Sequence, residues 1–479
     1  MRDAKSNFIV NFAWKYAERM GAHAIQFIVQ IILARLLTPS DFGLIGLITV
    51  FIAIANVFAQ SGMGQALVQR KNADEVDFST VFYYSLAFSV VLYFILFACA
   101  PFIANFYNAP KLTAVVRVLG LGVIVGAVNS VQNAYVQKTM QFKKFFFSTL
   151  GGTIGSAFTG IFAAYKGYGV WALVVQQLTN QIINTIVLWF TAKWRPVLEF
   201  SFERMKKLFS FGWKLLCSNL LDTVYSNMYS LIIGKFYSSA DLGYYNKGKQ
   251  FPMLIINNIN TAINSVLLPI MSEAQDEKER VKAMVRRSIS VSTFIIFPLM
   301  AGLAAVAEPM VKILLTDKWL LAVPFIQFCC FTYAFWPVHT ANLQAITALG
   351  RSDIFLKLEV IKKLQGILIL IITLPHGLYV MMAGRCFGTV LSSFINAFPN
   401  KKLLNYSYLE QMKDILPSML LSLIMCVIVL GVNLLKLNVW ITIFVQVIVG
   451  MIVYFMGAKL CKIECFNYIS NILKGVNRR

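Results

Sequence analysis

Charged residues are scarce in this sequence, since Asp, Glu, Lys and Arg make up 13% of its 479 residues. An average soluble domain carries about twice that share. The chain also lacks a long polar segment, because its longest polar connectors, near 193–211 and 273–287, are too short to fold alone. We therefore expect no separate soluble domain.

Sequence motifs for catalysis are also missing. The chain has no P-loop, no Gly-x-Ser-x-Gly elbow and no Asp-x-Asp motif of the kind that sugar-nucleotide transferases use. It has three histidines and eight cysteines, most of which lie in apolar runs. Cys461 and Cys465 share a helix face, but two ligands do not make a metal site. We expect no enzymatic activity, no disulfide framework, no metal and no cofactor.

Apolar residues dominate the chain, at 58% of its residues and a mean hydropathy of +0.68. A membrane-spanning helix needs about 20 mainly apolar residues, and fourteen such runs can be counted. Their approximate bounds are 8–36, 42–68, 79–104, 113–137, 145–165, 168–192, 212–236, 250–272, 288–307, 320–348, 364–375, 377–398, 415–435 and 438–458. The sequence predicts an all-α polytopic membrane protein with about fourteen transmembrane helices. A count of twelve or thirteen helices also stays open, because Pro375, His376 and Gly377 leave almost no loop between two of the runs.

The net charge of +22 follows the loops between these runs. Most Lys and Arg residues fall in every second loop, as the positive-inside rule expects of cytoplasmic segments. This alternation predicts that both termini are cytoplasmic. No basic face with interleaved aromatic residues and no nucleic-acid module accompanies the charge, so we expect no nucleic-acid partner. The first apolar run continues well past a short signal-peptide core, so we expect it to be the first spanning helix.

One stretch of the chain occurs twice. Residues 12–15 (FAWK) and 31–43 (IILARLLTPSDFG) match residues 211–214 (FGWK) and 231–243 (LIIGKFYSSADLG). The repeat predicts three parts, an N-terminal six-helix lobe at 1–198, a second such lobe at 199–410, and a helix pair with a cytoplasmic tail at 411–479. Two parallel copies enclose a cleft and permit alternating access by rocking of one copy against the other.

Polar side chains recur at helical spacing within several apolar runs. Steps of three, four and eight residues place them on one helix face. Such stripes either join helices through hydrogen bonds or face a water-filled cavity, and their matching in pairs of helices favours the cavity. The candidates are Asn11, Gln26, Gln30, Asn56, Gln60, Asn129, Asn133, Ser226, Tyr229, Asn257, Asn260, His339 and Asn342.

Arg35 and Lys235 occupy equivalent positions near the ends of the repeated helices. Each alone could extend to the membrane interface, but their recurrence favours a shared anion site. Arg presents a fork that suits phosphate oxygens, and Lys presents a point charge. Arg385 and Arg117 are further candidates for the same anion.

Two acidic residues lie on the polar stripes of the repeated helices. Glu18 and Asp222 could couple transport to an ion gradient, or they could neutralise the nearby Lys15 and Lys214. The structural role is the favoured interpretation for both.

Several segments together resemble a known family. They are residues 36–43 (LLTPSDFG), 61–71 (SGMGQALVQRK), 195–202 (RPVLEFSF), 209–214 (FSFGWK), 317–319 (DKW) and 348–353 (ALGRSD). This pattern resembles the polysaccharide transporter family, the lipid-linked oligosaccharide flippases of the MOP exporter superfamily, which is related to MATE drug exporters. The match covers nearly the whole chain.

The resemblance implies two six-helix MATE-like lobes in a V shape and an added C-terminal helix pair. It implies a secondary transporter that moves an undecaprenyl-pyrophosphate-linked oligosaccharide from the inner to the outer leaflet of a bacterial cytoplasmic membrane. The product would enter O-antigen, capsule or exopolysaccharide assembly. Membrane lipids and other membrane proteins of polysaccharide assembly are the partners implied.

Two alternative transporters stay under consideration. A MATE-like exporter of small cations would need a net acidic cavity, and Arg35, Lys235 and Arg385 argue against it. A flippase for the peptidoglycan lipid precursor would use an equally cationic site. A membrane-embedded glycan polymerase or ligase is disfavoured, because it would need large periplasmic loops.

Overall fold

The computed structural model describes residues 21–60 and 62–466, and all regular structure in this part of the chain is helical. Three short 3-10 turns, Asp317–Ala322, Leu374–His376 and Val432–Leu435, join longer helices. The α-helices are α1 (Gly21–Leu36), α2 (Pro39–Gln60), α3 (Met63–Gln69), α4 (Glu75–Phe106), α5 (Lys111–Lys138), α6 (Lys143–Tyr165), α7 (Val170–Ala192), α8 (Phe202–Phe236), α9 (Ser239–Glu273), α10 (Lys278–Ala305), α11 (Ala307–Leu314), α12 (Val323–Ala334), α13 (Trp336–Ala348), α14 (Ser352–Thr373), α15 (Leu378–Leu404), α16 (Tyr408–Gly431) and α17 (Val439–Leu460).

Every apolar run predicted from the sequence coincides with helix in the described residues. Ten helical segments there are long and apolar enough to cross a membrane. The other four are α1, which is described only from Gly21, α7 and α8, which polar residues interrupt, and α14, which several charges interrupt. The prediction of an all-α polytopic membrane protein is confirmed, whereas fourteen crossings stay a prediction.

The two copies of the repeated turn fold alike. Asp41 Oδ2 accepts hydrogen bonds from the Thr38 backbone N–H, at 3.1 Å, and from its hydroxyl, at 2.6 Å. Asp241 Oδ2 accepts the same two bonds from Ser238, also at 3.1 and 2.6 Å. Each pair forms a capping box that satisfies backbone donors at a helix start. The Asp of each motif therefore fixes where α2 and α9 begin.

The starts of α2 and α9 approach each other closely. A Cβ atom added at Gly43 would overlap the carbonyl oxygen of Ser239, and one added at Gly243 would overlap that of Pro39. The hydroxyls of Ser40 and Ser239 are 2.6 Å apart. The two glycines of the repeat are thus required for contact between the backbones.

The described residues divide into two compact units, one up to Asn246 and the other from Lys247 on. In the first unit α4 packs on α5 and α6 packs on α7, and α8 packs on α2. An apolar core in this unit surrounds Trp194 and includes Met63, Leu67, Phe78 and Phe82. The first unit therefore contains α8. The predicted border at 198 rests on the sequence repeat, and this border stays a prediction.

An ion cluster holds the start of α8 to the start of α4. The Arg204 guanidinium contacts Asp74 at 2.6 Å and the buried Asp77 at 3.3 Å, and Arg70 contacts Asp77 at 3.0 Å. The hydrogen bond from Arg204 lowers the pKa of Asp74 below its ordinary value of 3.8. Paired in this way, the buried Asp77 carboxylate avoids the cost of an isolated buried charge.

The second unit is built around α10, which packs against α12, α13 and α16. Phe294, Leu421, Met425 and Tyr454 form a buried cluster between α10, α16 and α17. The Tyr454 hydroxyl donates a 2.7 Å hydrogen bond to the Phe294 carbonyl. The C-terminal helix pair is therefore part of this unit's core.

Candidate transport cavity

The first unit contains a cavity of about 1210 Å³ between α1, α2, α3, α5, α6, α7 and α8. Thirteen of its lining side chains are carboxamides and six are hydroxyls. The carboxamides are Gln26, Gln30, Gln60, Gln65, Asn129, Asn133, Gln137, Gln176, Gln177, Asn180, Gln181, Asn184 and Asn219, and the hydroxyls are Ser130, Thr149, Thr153, Ser156, Thr223 and Ser226. Each carboxamide offers two donor hydrogens and one acceptor oxygen. The wall can thus form hydrogen bonds in both directions with a neutral polar ligand.

The richest stripe of amides comes from α7. Gln176, Gln177, Asn180, Gln181 and Asn184 all line the cavity, because steps of four residues return to nearly the same face of a 3.6-residue helix. The sequence prediction missed this stripe, although its spacing is visible in the sequence. The prediction rested on stripes that match between paired helices, so it did not include the stripe on α7.

Small residues on α5 let the α7 amides come close. A Cβ added at Gly122 would lie 2.7 Å from the Gln181 oxygen, and one added at Gly126 would lie 2.9 Å from its nitrogen. Gln181 instead donates a 2.7 Å hydrogen bond to the Gly122 carbonyl. The two glycines, four residues apart on one face, thus seat the Gln181 amide against the α5 backbone.

Other wall amides orient one another. Asn133 donates to the Asn129 oxygen at 2.9 Å, and Asn129 donates to the Asn184 oxygen at 2.9 Å. Asn180 donates to the Ser156 hydroxyl at 3.2 Å. This chain of bonds determines which atoms face the cavity, since an amide that has used a donor presents its remaining groups to a ligand.

Among the described residues that line this cavity, Asp222 is the single charged side chain and none is a Lys or Arg. It lies on α8 and is exposed. The predicted cavity residues Gln26, Gln30, Gln60, Asn129, Asn133 and Ser226 line the same space. The structure thus brings together seven predicted site residues in one wall.

The four predicted cations do not line this cavity. The Lys235 ammonium donates to the Phe106 carbonyl at 2.5 Å and lies 4.1 Å from the centre of that ring. Phe106 ends α4, so Lys235 complements the negative end of that helix. Arg117 lies 4.1 Å above the Phe97 ring and donates to the Phe97 carbonyl at 3.4 Å. Arg35 is exposed at the end of α1.

Arg385 belongs to the second unit, where its guanidinium lies 5.9 Å from the centre of the Tyr333 ring. It acts electrostatically on Lys249 of α9. In the first unit Lys235 and Arg117 thus contact different rings, those of Phe106 and Phe97. The joint role of the four cations at an anion stays a prediction.

The predicted polar residues of the second unit mostly bind neighbouring helices. Asn260 accepts a 2.8 Å hydrogen bond from Thr340, and His339 Nδ1 lies 3.0 Å from the Asn396 amide. Asn342 exchanges two bonds with Gln411, at 2.8 and 2.9 Å. These buried contacts join α13 to α9, α15 and α16, which is the helix-to-helix role that the sequence left open.

The remaining predicted residues lie elsewhere. Asn257 is exposed on α9. Asn56 and Tyr229 are not among the lining residues of the cavity, although the Asn56 oxygen is buried on α2 near Gly126. Asn11 and Glu18 lie outside the described residues.

Comparison with known proteins identifies a family. The family model for "Polysaccharide biosynthesis protein" matches residues 32–324. The teichuronic acid biosynthesis protein TuaB of Bacillus subtilis (strain 168) is 25% identical over 343 residues, which is 71% of each chain.

Two solved structures share the fold. The lipid II flippase MurJ in an inward closed conformation has a TM-score of 0.73 at 15% identity, over 93% of this chain and 98% of that chain. An inward-facing multidrug resistance MATE family transporter of the MOP superfamily has a TM-score of 0.61 at 16% identity, over 83% and 98%. The predicted MATE-like fold is confirmed. Because the family model covers more than half of the sequence, this chain belongs to the polysaccharide biosynthesis protein family, and its relatives make it a multi-pass membrane transporter of polysaccharide biosynthesis.

Proposed function

We propose that this protein flips an undecaprenyl-pyrophosphate-linked oligosaccharide from the cytoplasmic to the periplasmic leaflet of a bacterial inner membrane by alternating access. The observation that carries the proposal is the amide-lined cavity of the first unit. At about 1210 Å³ it exceeds the 300–1,000 Å³ typical of small-molecule pockets. Such a volume suits a glycan of several sugars.

The chemistry of the wall suits a sugar better than an ion. Sugar hydroxyls donate and accept hydrogen bonds, and carboxamides and hydroxyls do the same. The part of the lining that the structure describes contains no cation and a single carboxylate, Asp222. Neutral hydrogen bonds contribute modestly because each replaces a bond to water. A glycan would therefore be held by many weak contacts and released readily.

The pyrophosphate would bind apart from this wall. The predicted cations Arg35, Lys235, Arg117 and Arg385 stay its candidate ligands, because Arg and Lys side chains suit phosphate oxygens. Both termini would lie in the cytoplasm, as the charge pattern predicts.

The test is leaflet movement of an undecaprenyl-pyrophosphate oligosaccharide in proteoliposomes. The variant Gln26→Leu/Gln65→Leu/Gln137→Leu removes three exposed wall amides at similar side-chain size. Loss of three hydrogen bonds of about 1 kcal/mol each predicts transport slower by roughly a hundredfold. The matched control, Asn105→Leu, removes an exposed amide at the end of α4, outside the wall.

Equal movement by the triple variant and the control would show that the glycan does not use this cavity. The peptidoglycan lipid precursor belongs in the same assay as a competing substrate. Movement of this precursor alone would support a flippase function and would refute the oligosaccharide as the substrate.

One observation favours a second function, MATE-like export of a small cation. Arg35, Lys235 and Arg385, which argued against such export, are not among the described lining residues of the cavity, whereas the carboxylate of Asp222 is. Asp222→Asn keeps the hydrogen-bonding capacity and removes that charge. Export of a cationic dye that disappears in this variant, without glycolipid movement by the wild type, would establish the second function.

A further inference from the structure

A separate pocket of about 530 Å³ lies in the second unit, between the first turns of α10 and residues 464–465. Its charged lining residues are Arg280, Arg286, Arg287 and Glu464. Its apolar lining residues include Met284 and Val291. Among the described residues, none lines both this pocket and the amide cavity.

The three arginines offer guanidinium forks, which match the oxygens of a phosphate group. Arg280 contacts Glu277 at 3.1 Å and Arg286 contacts Asp414 at 2.7 Å. The arginine side chains of both pairs are more than half exposed, and exposed ion pairs contribute little to stability. These carboxylates orient the arginines without preventing them from donating to an anion.

An apolar track leads from the pocket along the same face of α10. Val291 is followed at four-residue steps by Ile295 and Leu299, which are 40% and 44% exposed. Residues four apart lie above one another on a helix, and α10 is long and apolar enough to cross a membrane. The track thus runs from the arginines at the start of the helix towards hydrocarbon.

We infer that this pocket binds an anionic phospholipid, with its phosphate on Arg280, Arg286 and Arg287 and an acyl chain along Val291, Ile295 and Leu299. A free phosphate would leave the apolar side unused. An oligosaccharide would find few partners, because Ser290 is the single hydroxyl among the described residues that line the pocket. Basic pockets beside cytoplasmic helix ends are suited to anionic headgroups, and the charge pattern predicts that α10 starts on that side.

The test is retention of phosphatidylglycerol by the full-length protein in detergent, counted by native mass spectrometry. Arg280→Gln/Arg287→Gln removes two cations from the pocket. Lys401→Gln/Lys402→Gln removes the same charge from exposed positions at the end of α15, outside the pocket. Loss of two charge-assisted contacts predicts affinity weaker by about tenfold or more in the first variant, and no change in the second.

Met284→Trp adds a second variant that fills the pocket and keeps every charge. We expect it to lose phosphatidylglycerol too, while its thermal transition without added lipid stays at the wild-type temperature. Phosphatidylcholine has the chains without the net charge, and inorganic phosphate has the charge without chains. Neither should be retained or should raise the thermal transition.

Equal retention of phosphatidylglycerol by the wild type and Arg280→Gln/Arg287→Gln would overturn the proposal. Stabilisation by inorganic phosphate alone would also overturn it, since the pocket would then hold a soluble anion. The measurement needs no transport, so its outcome is independent of the proposed flippase function.

Discussion

Replacing Gly43 by Ala tests whether the close contact between the starts of α2 and α9 is needed for stability. The added Cβ would overlap the Ser239 carbonyl oxygen and lie 2.7 Å from the carbonyl carbon. Both are backbone atoms, so no side chain can rotate away and the helices must separate. Overpacking of this kind costs about 1–3 kcal/mol, against a gain of about 1 kcal/mol from the better helix propensity of Ala. We expect a net loss of up to about 2 kcal/mol.

Gly431→Ala is the matched control, since a Cβ added there meets no atom within 4 Å. It should leave stability unchanged or raise it by up to about 1 kcal/mol. Thermal unfolding of the purified protein in detergent compares the two variants, and Gly243→Ala should behave like Gly43→Ala because its Cβ would meet the Pro39 carbonyl. A melting temperature for Gly43→Ala equal to that of Gly431→Ala would refute the reasoning.

Two further predictions concern the same unit. Ser40→Cys/Ser239→Cys, in a background without exposed cysteines, should form a disulfide, because the two hydroxyl oxygens are 2.6 Å apart. If transport separates these helix starts, oxidation should stop leaflet movement and a reductant should restore it, and full activity of the oxidised protein would contradict this. Arg204→Gln should lower the melting temperature at neutral pH, since the folded-state pKa of Asp74 lies below 3.8 and its stabilisation is present above that pH. The difference from the wild type should shrink as pH falls below about 4, and a pH-independent difference would exclude ionisation of Asp74 as its cause.

The helices could be predicted because the apolar runs are long enough to be recognised as membrane-spanning helices. The turns before α2 and α9 lie in the two matching segments, 31–43 and 231–243, and the structure shows that both fold as capping boxes. What lines a cavity is harder to predict, because Asn129 and Asn342 look alike in sequence. Asn129 lines the cavity of the first unit, whereas Asn342 exchanges hydrogen bonds with Gln411, which is 69 residues away along the chain.

The paired cations show the same limit. Lys235 was assigned to an anion site because Arg35 lies at the equivalent position of the repeat. The repeat shows that the two segments are similar in sequence, and it does not show that their surroundings are the same. The partner of Lys235 is the carbonyl of Phe106, at a distance of 129 residues along the chain. No local sequence pattern shows that the end of α4 lies beside Lys235. The contact depends on how the helices pack, so it could not be predicted from the sequence.

A wall of amides has a consequence for the range of glycans that one transporter can move. Fixed charges select a ligand by where its own charges lie, whereas Gln26, Gln65 and Gln137 carry rotatable amides with both donors and acceptors. A sugar with a different hydroxyl arrangement can still find partners by small side-chain rotations. Removal of one amide should then matter little, because its neighbours supply a bond instead. In the proposed flippase, selectivity would come from the pyrophosphate and from the size of the cavity more than from any one sugar contact.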